Sequence, residues 1–553
     1  TYGVSKSLMN KKGGYLSKYD KDGLLKWMVY TVNETPLATN DNSILSCVED
    51  QNGDIYISGI SSGIFFDNAG NEINLSQNGQ VSMTAFNKYI IKLNSRGEFI
   101  WIMQNARVNF IKLYVDNDNN LVAISNVANN SPTNSIELYF NGIQTQTIGL
   151  TTSNPTNNII IKISPLGNVI WDSEINIDCI NIPATDQIVE VVFDSLNNYF
   201  LGINYEGQIS FYSANNNSPT VFPGNPAPAV KSAVVKYNSN GEFLWFLPIK
   251  TLDNANQVVS STRLRDLKID QNNNIYVTGL NGRNSTFVAG NYRQVFFNLN
   301  NTQTEISKGP FFIAKINSNG VCEWIRSALS YDGTGHKIIV DNNQIKVLGE
   351  VSGLNISSNF TTEFDSTNSN NYNLTINPSD YFINTYDLQG NISKVVTNGN
   401  NQDSFSVNYF PAFFKGDDNY FYLSKNLQYF NGISGYQDFG VTIPQLNERG
   451  GVITRFTEDC GIIKYDAFLA NENFDLNKIT IYPNPSNGKF KIDLQNVYNN
   501  CKIEIYDVLG HLIFENKYTS SNIIDLNLDL QSGIYLIKLK SDQMQYNAKI
   551  IID

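Results

Sequence analysis

A serine nucleophile, a histidine base and loops of carboxylates are the groups with which this chain could do chemistry. Gly59-Ile60-Ser61-Ser62-Gly63 has the GxSxG spacing of a nucleophile elbow. That elbow needs a helix directly after the serine, to lift its Oγ out of a strand-to-helix turn. Here Ile-Phe-Phe-Asp-Asn-Ala-Gly comes next (64–70), which reads as a strand and a turn, so the match reads as a Gly/Ser loop. A base would have to be His336 or His511, the only histidines of the chain, and the same scarcity excludes a multi-histidine metal centre. His336 follows Asp332-Gly-Thr-Gly and is expected in a surface turn. Asp116, Asp118 and Asn120 have the alternate spacing of a calcium loop. Leu121 stands where that loop needs glycine, however, and Val127 where it needs a bidentate glutamate. Turn capping is the expected role; Ca²⁺ is the one cofactor the pattern leaves open. No phosphate-cradling GxxxxGK[ST] or GxGxxG is present. Carboxylate pairs for glycoside hydrolysis are defined by distance, which spacing alone does not supply. No catalytic, cofactor or metal residue is assigned, and the chain is not expected to be an enzyme.

Composition narrows the partners. The 553 residues carry a formal net charge of −12, which argues against nucleic acid, whose readers present a basic stripe. Only 16% of residues are charged, against roughly 25% in an ordinary soluble protein; about 80 asparagines supply the polar surface instead. Cys47, Cys179, Cys322, Cys460 and Cys501 are far apart and form no CxxC, so a zinc ribbon or thioredoxin-like site is excluded. Most are expected to be small buried hydrophobes. No apolar run reaches the ~18–20 residues of a membrane span. The chain opens Thr1-Tyr2-Gly3-Val4, without a basic n-region and an apolar h-region. Either the protein is cytosolic, or a signal peptide has been removed.

The elements that would position any site come from a repeat. All five tryptophans end the same phrase. Its anchors are Lys18, Lys92, Lys162, Lys236 and Lys315. A glycine follows five residues later (Gly23, Gly97, Gly167, Gly241, Gly320), and a tryptophan nine later (Trp27, Trp101, Trp171, Trp245, Trp324). Degraded copies follow at 381–394 and 451–464, with Thr385 and Arg455 at the anchor. A nearly fixed period of about 70 residues signals a repeat architecture. Each phrase reads as a β-hairpin turning at the glycine. The tryptophans recur where a packing residue should recur, so a structural role is expected rather than a ligand platform. The lysines are expected on the solvent side, beside the turn.

A second phrase alternates with the first: β-run, Asp, Asn-rich turn, β-run. It appears at 47–59, 114–125, 192–202, 268–279, 339–349 and 414–424. Aspartate and asparagine close such turns with their own side chains. Two hairpins per period predict four-stranded units joined by Asn/Ser/Thr-rich insertions such as 127–157 and 281–310. Repeated four-stranded sheets predict an all-β fold, a β-propeller over residues 1–468. Seven hairpins of the first kind and six of the second predict about seven blades, the first lacking its Asp half. Over roughly residues 1–465 the phrases resemble the SBBP-type bacterial propeller repeat.

The rhythm changes near residue 470. Residues 469–478 read as a linker and 479–553 as a small β-sandwich of six or seven short strands. Pro483 and Pro485 flank Asn484 and cannot stay in a ladder; Gly510 and Gly533 are expected at tight turns. Core alternation is expected at Ile503 and Ile505, at Leu526, Leu528 and Leu530, and at Ile534, Leu536 and Leu539. Tyr482-Pro483-Asn484-Pro485 with Gly488, Tyr506-Asp507 with Gly510, Gly533-Ile534-Tyr535, and Lys549-Ile550-Ile551 closely resemble the type A C-terminal sorting domain of type IX (Por) secretion cargo in Bacteroidota. The resemblance implies inner-membrane export by a signal peptide that has since been removed. It also implies passage through an outer-membrane translocon with a shuttle protein, and a secreted or cell-surface destination. A non-catalytic binding or adhesion module for an unknown glycan or protein is the expected role. A polysaccharide-active hydrolase or lyase is the alternative, or an accessory of gliding or surface machinery.

Overall fold

The computed structural model describes residues 13–552 except 20–24, 33–42, 62, 76–86, 128–134, 152–156, 178–181, 183–186, 215, 224–229, 253–257, 261, 282–292, 298–302, 308–309, 330–331, 353–359, 365–371, 377–378, 398–411, 417–419, 428–435, 439–440, 444–449, 457–461, 467–479, 499, 508–510, 520 and 541–544. The expected linker 469–478, Gly23 and Gly510 therefore lie outside the described residues. All described regular elements are strands. The chain divides into two compact units, residues 1–447 with 451–468, and residues 469–553 with 448–450.

Among the described residues the first unit holds seven antiparallel sheets in chain order, each containing one Lys-type hairpin, besides one separate two-stranded hairpin. Sheet 1 begins directly with its Lys-type hairpin, Tyr15–Tyr19 and Leu25–Val32. Sheets 2 to 7 each begin with an Asp-type hairpin; their first strands are Ser43–Glu49, Val108–Val115, Ile188–Phe193, Thr262–Ile269, Asp332–Asp341 and Ala412–Lys415. Neighbouring first strands touch one another from sheet 2 to 3 and from sheet 4 through 7. Between each consecutive pair of sheets lies a separate apolar core, as with Val122, Ile160 and Trp171 of sheet 3 against Tyr199, Leu201 and Tyr237 of sheet 4.

The expected four-stranded unit is found in sheets 1, 6 and 7 and is corrected for the others. Sheets 2, 3 and 5 have six strands and sheet 4 seven. The insertions supply the surplus. After Phe99–Asn105 of sheet 2, the chain builds the first hairpin of sheet 3. It then returns to sheet 2 with Ser135–Phe140 and Ile143–Gly149. The returning hairpin carries Ile136, Leu138 and Ile148 into the core between sheets 2 and 3. Burial of apolar side chains at alternate positions is what holds an extra hairpin on a sheet edge. Sheets 1, 3, 4 and 5 are completed in the same manner, so each of these sheets is finished only after its successor has begun.

The Lys phrase has a register that its spacing does not announce. Each lysine lies directly across the hairpin from its tryptophan: Lys18 from Trp27, Lys92 from Trp101, Lys162 from Trp171, Lys236 from Trp245, Lys315 from Trp324. Lysine and tryptophan therefore share a face, and the face is buried. The indole Nε1 of Trp27, Trp101, Trp171 and Trp324 donates to a carbonyl of the next sheet's Lys-type turn, at Ser95, Pro165, Ser239 and Leu388, over 3.1–3.2 Å. The glycine of that turn has positive φ, +76° at Gly97 and +80° at Gly241. A β-carbon there would lie 3.0 Å from the Trp27 ring and 2.9 Å from the Trp171 ring. The glycine thus serves two needs, left-handed backbone and close approach of the preceding sheet. Trp245 is half-buried and leans on Phe200, 5.9 Å between centroids.

Four of the five lysines are not on the solvent side, and Lys18 alone stays partly exposed. Lys92 and Lys162 are buried, 5% and 6% exposed. Lys92 meets Asp54 at 3.0 Å and Asp50 at 3.7 Å, Lys162 meets Asp116 at 2.8 Å, and Lys236 meets Asp194 at 3.7 Å. Each partner belongs to the Asp-type hairpin of the same sheet, which explains why the two phrases alternate. Lys18 instead reaches Glu49 of sheet 2, and Lys315 reaches Glu323 on its own hairpin. In sheet 5, Asp270 is held by Tyr276 Oη and Asn274. Lys162→Met is expected to cost about 3 kcal/mol, the low end for breaking a buried pair, because Asp116 Oδ1 still accepts from the amides of Asp118 and Asn120. A denaturant midpoint that does not move contradicts this.

The second unit packs two sheets over one core. One sheet is Thr480–Tyr482, Lys489–Tyr498 and Ser521–Asn527; the other is Leu512–Tyr518, Cys501–Tyr506, Gly533–Lys540 and Gln545–Ile552. Ile503, Ile505, Leu526 and Leu539 are buried as expected, but Ile534 and Leu536 are 44% and 50% exposed. Strand residues alternate faces, so an inward Leu539 takes Ile537 with it and turns Ile534 and Leu536 outward.

Candidate functional site

Two places carry organised polar chemistry. The first is the proline turn of the second unit. The Tyr482-Pro483 and Asn484-Pro485 peptides are both cis. Between them Asn484 faces the last strand: its Nδ2 donates to Lys549 O and its Oδ1 accepts from the Ile551 amide, both at 2.9 Å. Ser486 N donates to Ile551 O at 2.9 Å. The asparagine amide and Ser486 thus continue a ladder that two prolines cannot enter. Gly488, at φ +89°, donates to Ser486 Oγ, and its missing β-carbon leaves room for Leu528 O, which would lie 2.2 Å away. The turn is thereby stitched to Lys549-Ile550-Ile551, so the first and last motifs of the segment form one patch, with Tyr482 43% exposed on it.

The other motif residues stand apart from that turn. Tyr506 Oη donates to Glu504 Oε2 at 3.0 Å, and Asp507 closes its turn by accepting from the His511 amide at 2.8 Å. Tyr535 Oη donates to Gln531 O. Gly533 does not occupy a tight positive-φ turn: it begins a strand, and the nearest atom to an added β-carbon is 3.9 Å off. Tyr506 lies directly opposite both Leu512 and Leu536, and these leucines are 49% and 50% exposed. The outer face of this sheet therefore carries an apolar row.

The residues whose types suggested catalysis stay separate. Ser61 is fully buried at the end of a strand, and its Oγ accepts from Gly63 N; no nucleophile elbow forms. Asp116 caps its turn and pairs with Lys162. His336 is not in a surface turn. It is a strand residue with a side chain 11% exposed, and its Nε2 is 3.5 Å from Glu350. Cys322 and Cys501 are buried, whereas Cys47 is exposed. No group of three potential metal ligands occurs among the described residues.

The second place has no signature in the sequence pattern. It lies on the first strands of sheets 3 to 6, where Lys112, Tyr114, Glu190, Asp266, Lys268 and Lys337 converge. Lys268 Nζ lies 3.7 Å from Glu190 and 3.5 Å from Asp266; Lys337 Nζ lies 3.9 Å and 3.5 Å from the same two carboxylates. Burial raises the pKa of Glu190, helped by the Asp266 charge and opposed by the three lysines. Burial also opposes ionisation of Asp266, but Lys268, Lys337 and the amides of Ile338 and Leu267 outweigh it and hold its pKa low. A raised folded-state pKa means that the stability linked to Glu190 is full below its unfolded value of about 4.3. That contribution is lost as pH rises through the folded value. Glu190→Gln should therefore flatten the decline in melting temperature above that unfolded value, while Asp266→Asn should lower stability at neutral pH. A steeper decline in the glutamine variant contradicts the assignment.

Residues 480–553 match the family described as the secretion system C-terminal sorting domain. This domain marks proteins exported by type IX secretion to the cell surface or extracellular space, and it implies contact with that machinery. Among curated proteins, the chain is similar to an endo-acting ulvan lyase of Formosa agariphila, 31% identical over 93 residues, 16% of this chain and 18% of that one. It is also similar to an ulvan lyase of Nonlabens ulvanivorans, 32% identical over 87 residues, 15% of this chain and 16% of that one. The chain thus spans under a fifth of the length of these relatives. Among solved structures, an exo-beta-1,3-galactanase of Clostridium thermocellum aligns over 89% of this chain and 82% of its own, with 10% identity and a TM-score of 0.24. A likeness that distant carries no argument.

Proposed function

We propose that residues 1–468 form a seven-bladed β-propeller of SBBP-type repeats, carried out of the cell by the sorting domain at 479–553 and acting there as a non-catalytic recognition or adhesion module. The observation that carries this reading is the coincidence of the sorting-domain match with a unit that has its own core. Separability supports an export signal that works on whatever precedes it. Seven sheets in chain order, each packed on the next, support the propeller, with the first strands as the inner edge and the returning hairpins as the outer rim. The stitched turn at Tyr482, Pro483, Asn484, Pro485 and Gly488 and the apolar row of Leu512, Tyr506 and Leu536 are the surfaces on which a translocon or shuttle would read the fold.

The similarity to ulvan lyases favours a second reading, a polysaccharide-active enzyme. Alignments of 93 and 87 residues are too short to span the seven sheets, so the binding reading stands first. Incubating the mature chain with a glycan panel separates them. Retention of a glycan without new reducing or unsaturated ends is expected. Product release abolished by Glu190→Gln would establish the enzyme instead.

A further inference from the structure

Five first strands carry a β-bulge at the same point of the repeat. The extra residue is Leu45, Ile111, Val189, Arg265 and His336 in turn. A bulge re-aims the side chains beside it. The residues just after the bulges are Ser46, Lys112, Glu190, Asp266 and Lys337, and each stands four positions before an aspartate of its hairpin turn: Asp50, Asp116, Asp194, Asp270 and Asp341. They are structural equivalents, yet they are not alike. Where the repeat only packs, the same residue recurs, as tryptophan and glycine do. Here five sheets present a hydroxyl, two ammonium groups and two carboxylates.

These groups join sheet to sheet. Ser46 Oγ accepts from Leu113 N at 3.1 Å, Lys112 Nζ donates to Ile188 O at 2.8 Å, and Asp266 Oδ2 accepts from Ile338 N at 2.8 Å. Between sheets 4 and 6, Asp266 is fully buried and Glu190 nearly so, with side chains 0% and 17% exposed, whereas Lys268 and Lys337 are 36% and 26% exposed. Asp266 forms the floor, and Lys268, Lys337 and the edge of Glu190 form the reachable surface. Lys112, Lys268 and Lys337 are three cations around two carboxylates, Glu190 and Asp266. On a chain of net charge −12 this is a local excess of positive charge, which attracts anions.

We propose that this edge binds an acidic sugar chain, its carboxylate or sulfate group against Lys268 and Lys337 and its hydroxyls donating to Glu190. The inference rests on the binding-module reading and names its site and ligand class. An acid group alone would need only the lysines; a partly exposed carboxylate between them calls for a ligand that also brings hydroxyl donors.

The test is calorimetric titration of the full chain with tetragalacturonate, with a sulfated galactan tetrasaccharide and with neutral galactotetraose, followed by a broad glycan array. The acidic probes are expected to bind at least about tenfold more tightly than the neutral one, since each lost charge-assisted contact is worth about that factor. Which acidic probe binds tells carboxylate from sulfate. The charge-balanced double variant Lys337→Met/Glu190→Gln is expected to lose that binding while still folding, as its own cooperative melting transition reports. Should that variant fail to fold, Lys268→Gln alone, with the salt dependence of the unaltered chain, provides the same comparison. Equal binding of the neutral probe, or binding unaffected by the variants, overturns the site. A different array glycan retained through both variants overturns it while leaving the binding-module reading intact. An empty array overturns both.

Discussion

Trp171→Ala is expected to lower the stability of the first unit by about 3–5 kcal/mol, the range for removing a large aromatic side chain from a core. The indole stands in the core between sheets 3 and 4, edge-on to Tyr199 with centroids 5.4 Å apart. Its Nε1 donates to Ser239 O in the turn of sheet 4. Alanine removes the volume, the ring contact and the bond at once, and leaves a gap beside Gly241, which packs closely against the ring. Gly241→Val should be similarly harmful, since it places a branched side chain at φ +80° and drives a β-carbon to 2.9 Å from the indole. Trp245→Ala serves as the internal contrast: that ring is only half-buried and should cost clearly less. Equilibrium unfolding followed by tryptophan fluorescence measures all three. A loss at Trp171 under about 1 kcal/mol, far below the cavity range, would mean that the latch between sheets does not hold them.

Removing residues 474–553 is expected to abolish delivery to the surface while leaving the seven sheets folded. Among the described residues, the buried cores between those sheets contain none beyond 423, and the core of the second unit begins at Phe490. The two sets of core residues are separate, so the truncated chain should melt as the intact first unit does. It should accumulate in the periplasm, having lost the segment that the outer-membrane machinery recognises. Cell fractionation, with protease accessibility of intact cells, distinguishes a trapped folded product from an exported one. Truncated protein in the medium by the type IX route would remove the sorting domain from the account.

The repeat is legible because its structural residues recur in type as well as spacing. Lys92, Gly97 and Trp101 recur as Lys162, Gly167 and Trp171, and the hairpin between them follows from turn chemistry alone. Their burial is less legible. Nine residues from Lys162 to Trp171 become a directly opposed pair only because the register shifts by one at Lys162/Ile163. A lysine with a buried aspartate partner looks the same in sequence as one in water. The returning hairpins read as insertions, because a strand pair such as Ser135–Phe140 and Ile143–Gly149 shows its partner only when the sheet is assembled. Ile534 and Leu536 go inward only if the two parities of one strand are added together. Glu190 and Asp266 leave no signal in the pattern, since they occupy a place where the repeat does not repeat. Only the bulges, visible as register shifts at Ile188/Glu190 and Leu264/Asp266, mark them.

The export assignment is tested most directly by placing residues 469–553 behind a signal peptide and an unrelated fluorescent protein in a type IX-competent host. The second unit carries its own two sheets and its own core, so the fusion is expected to fold and to appear at the cell surface or in the medium, and to remain periplasmic in a host whose type IX translocon is disabled. A fusion that stays periplasmic in the competent host, while a native cargo of the same cells is exported, would contradict the account.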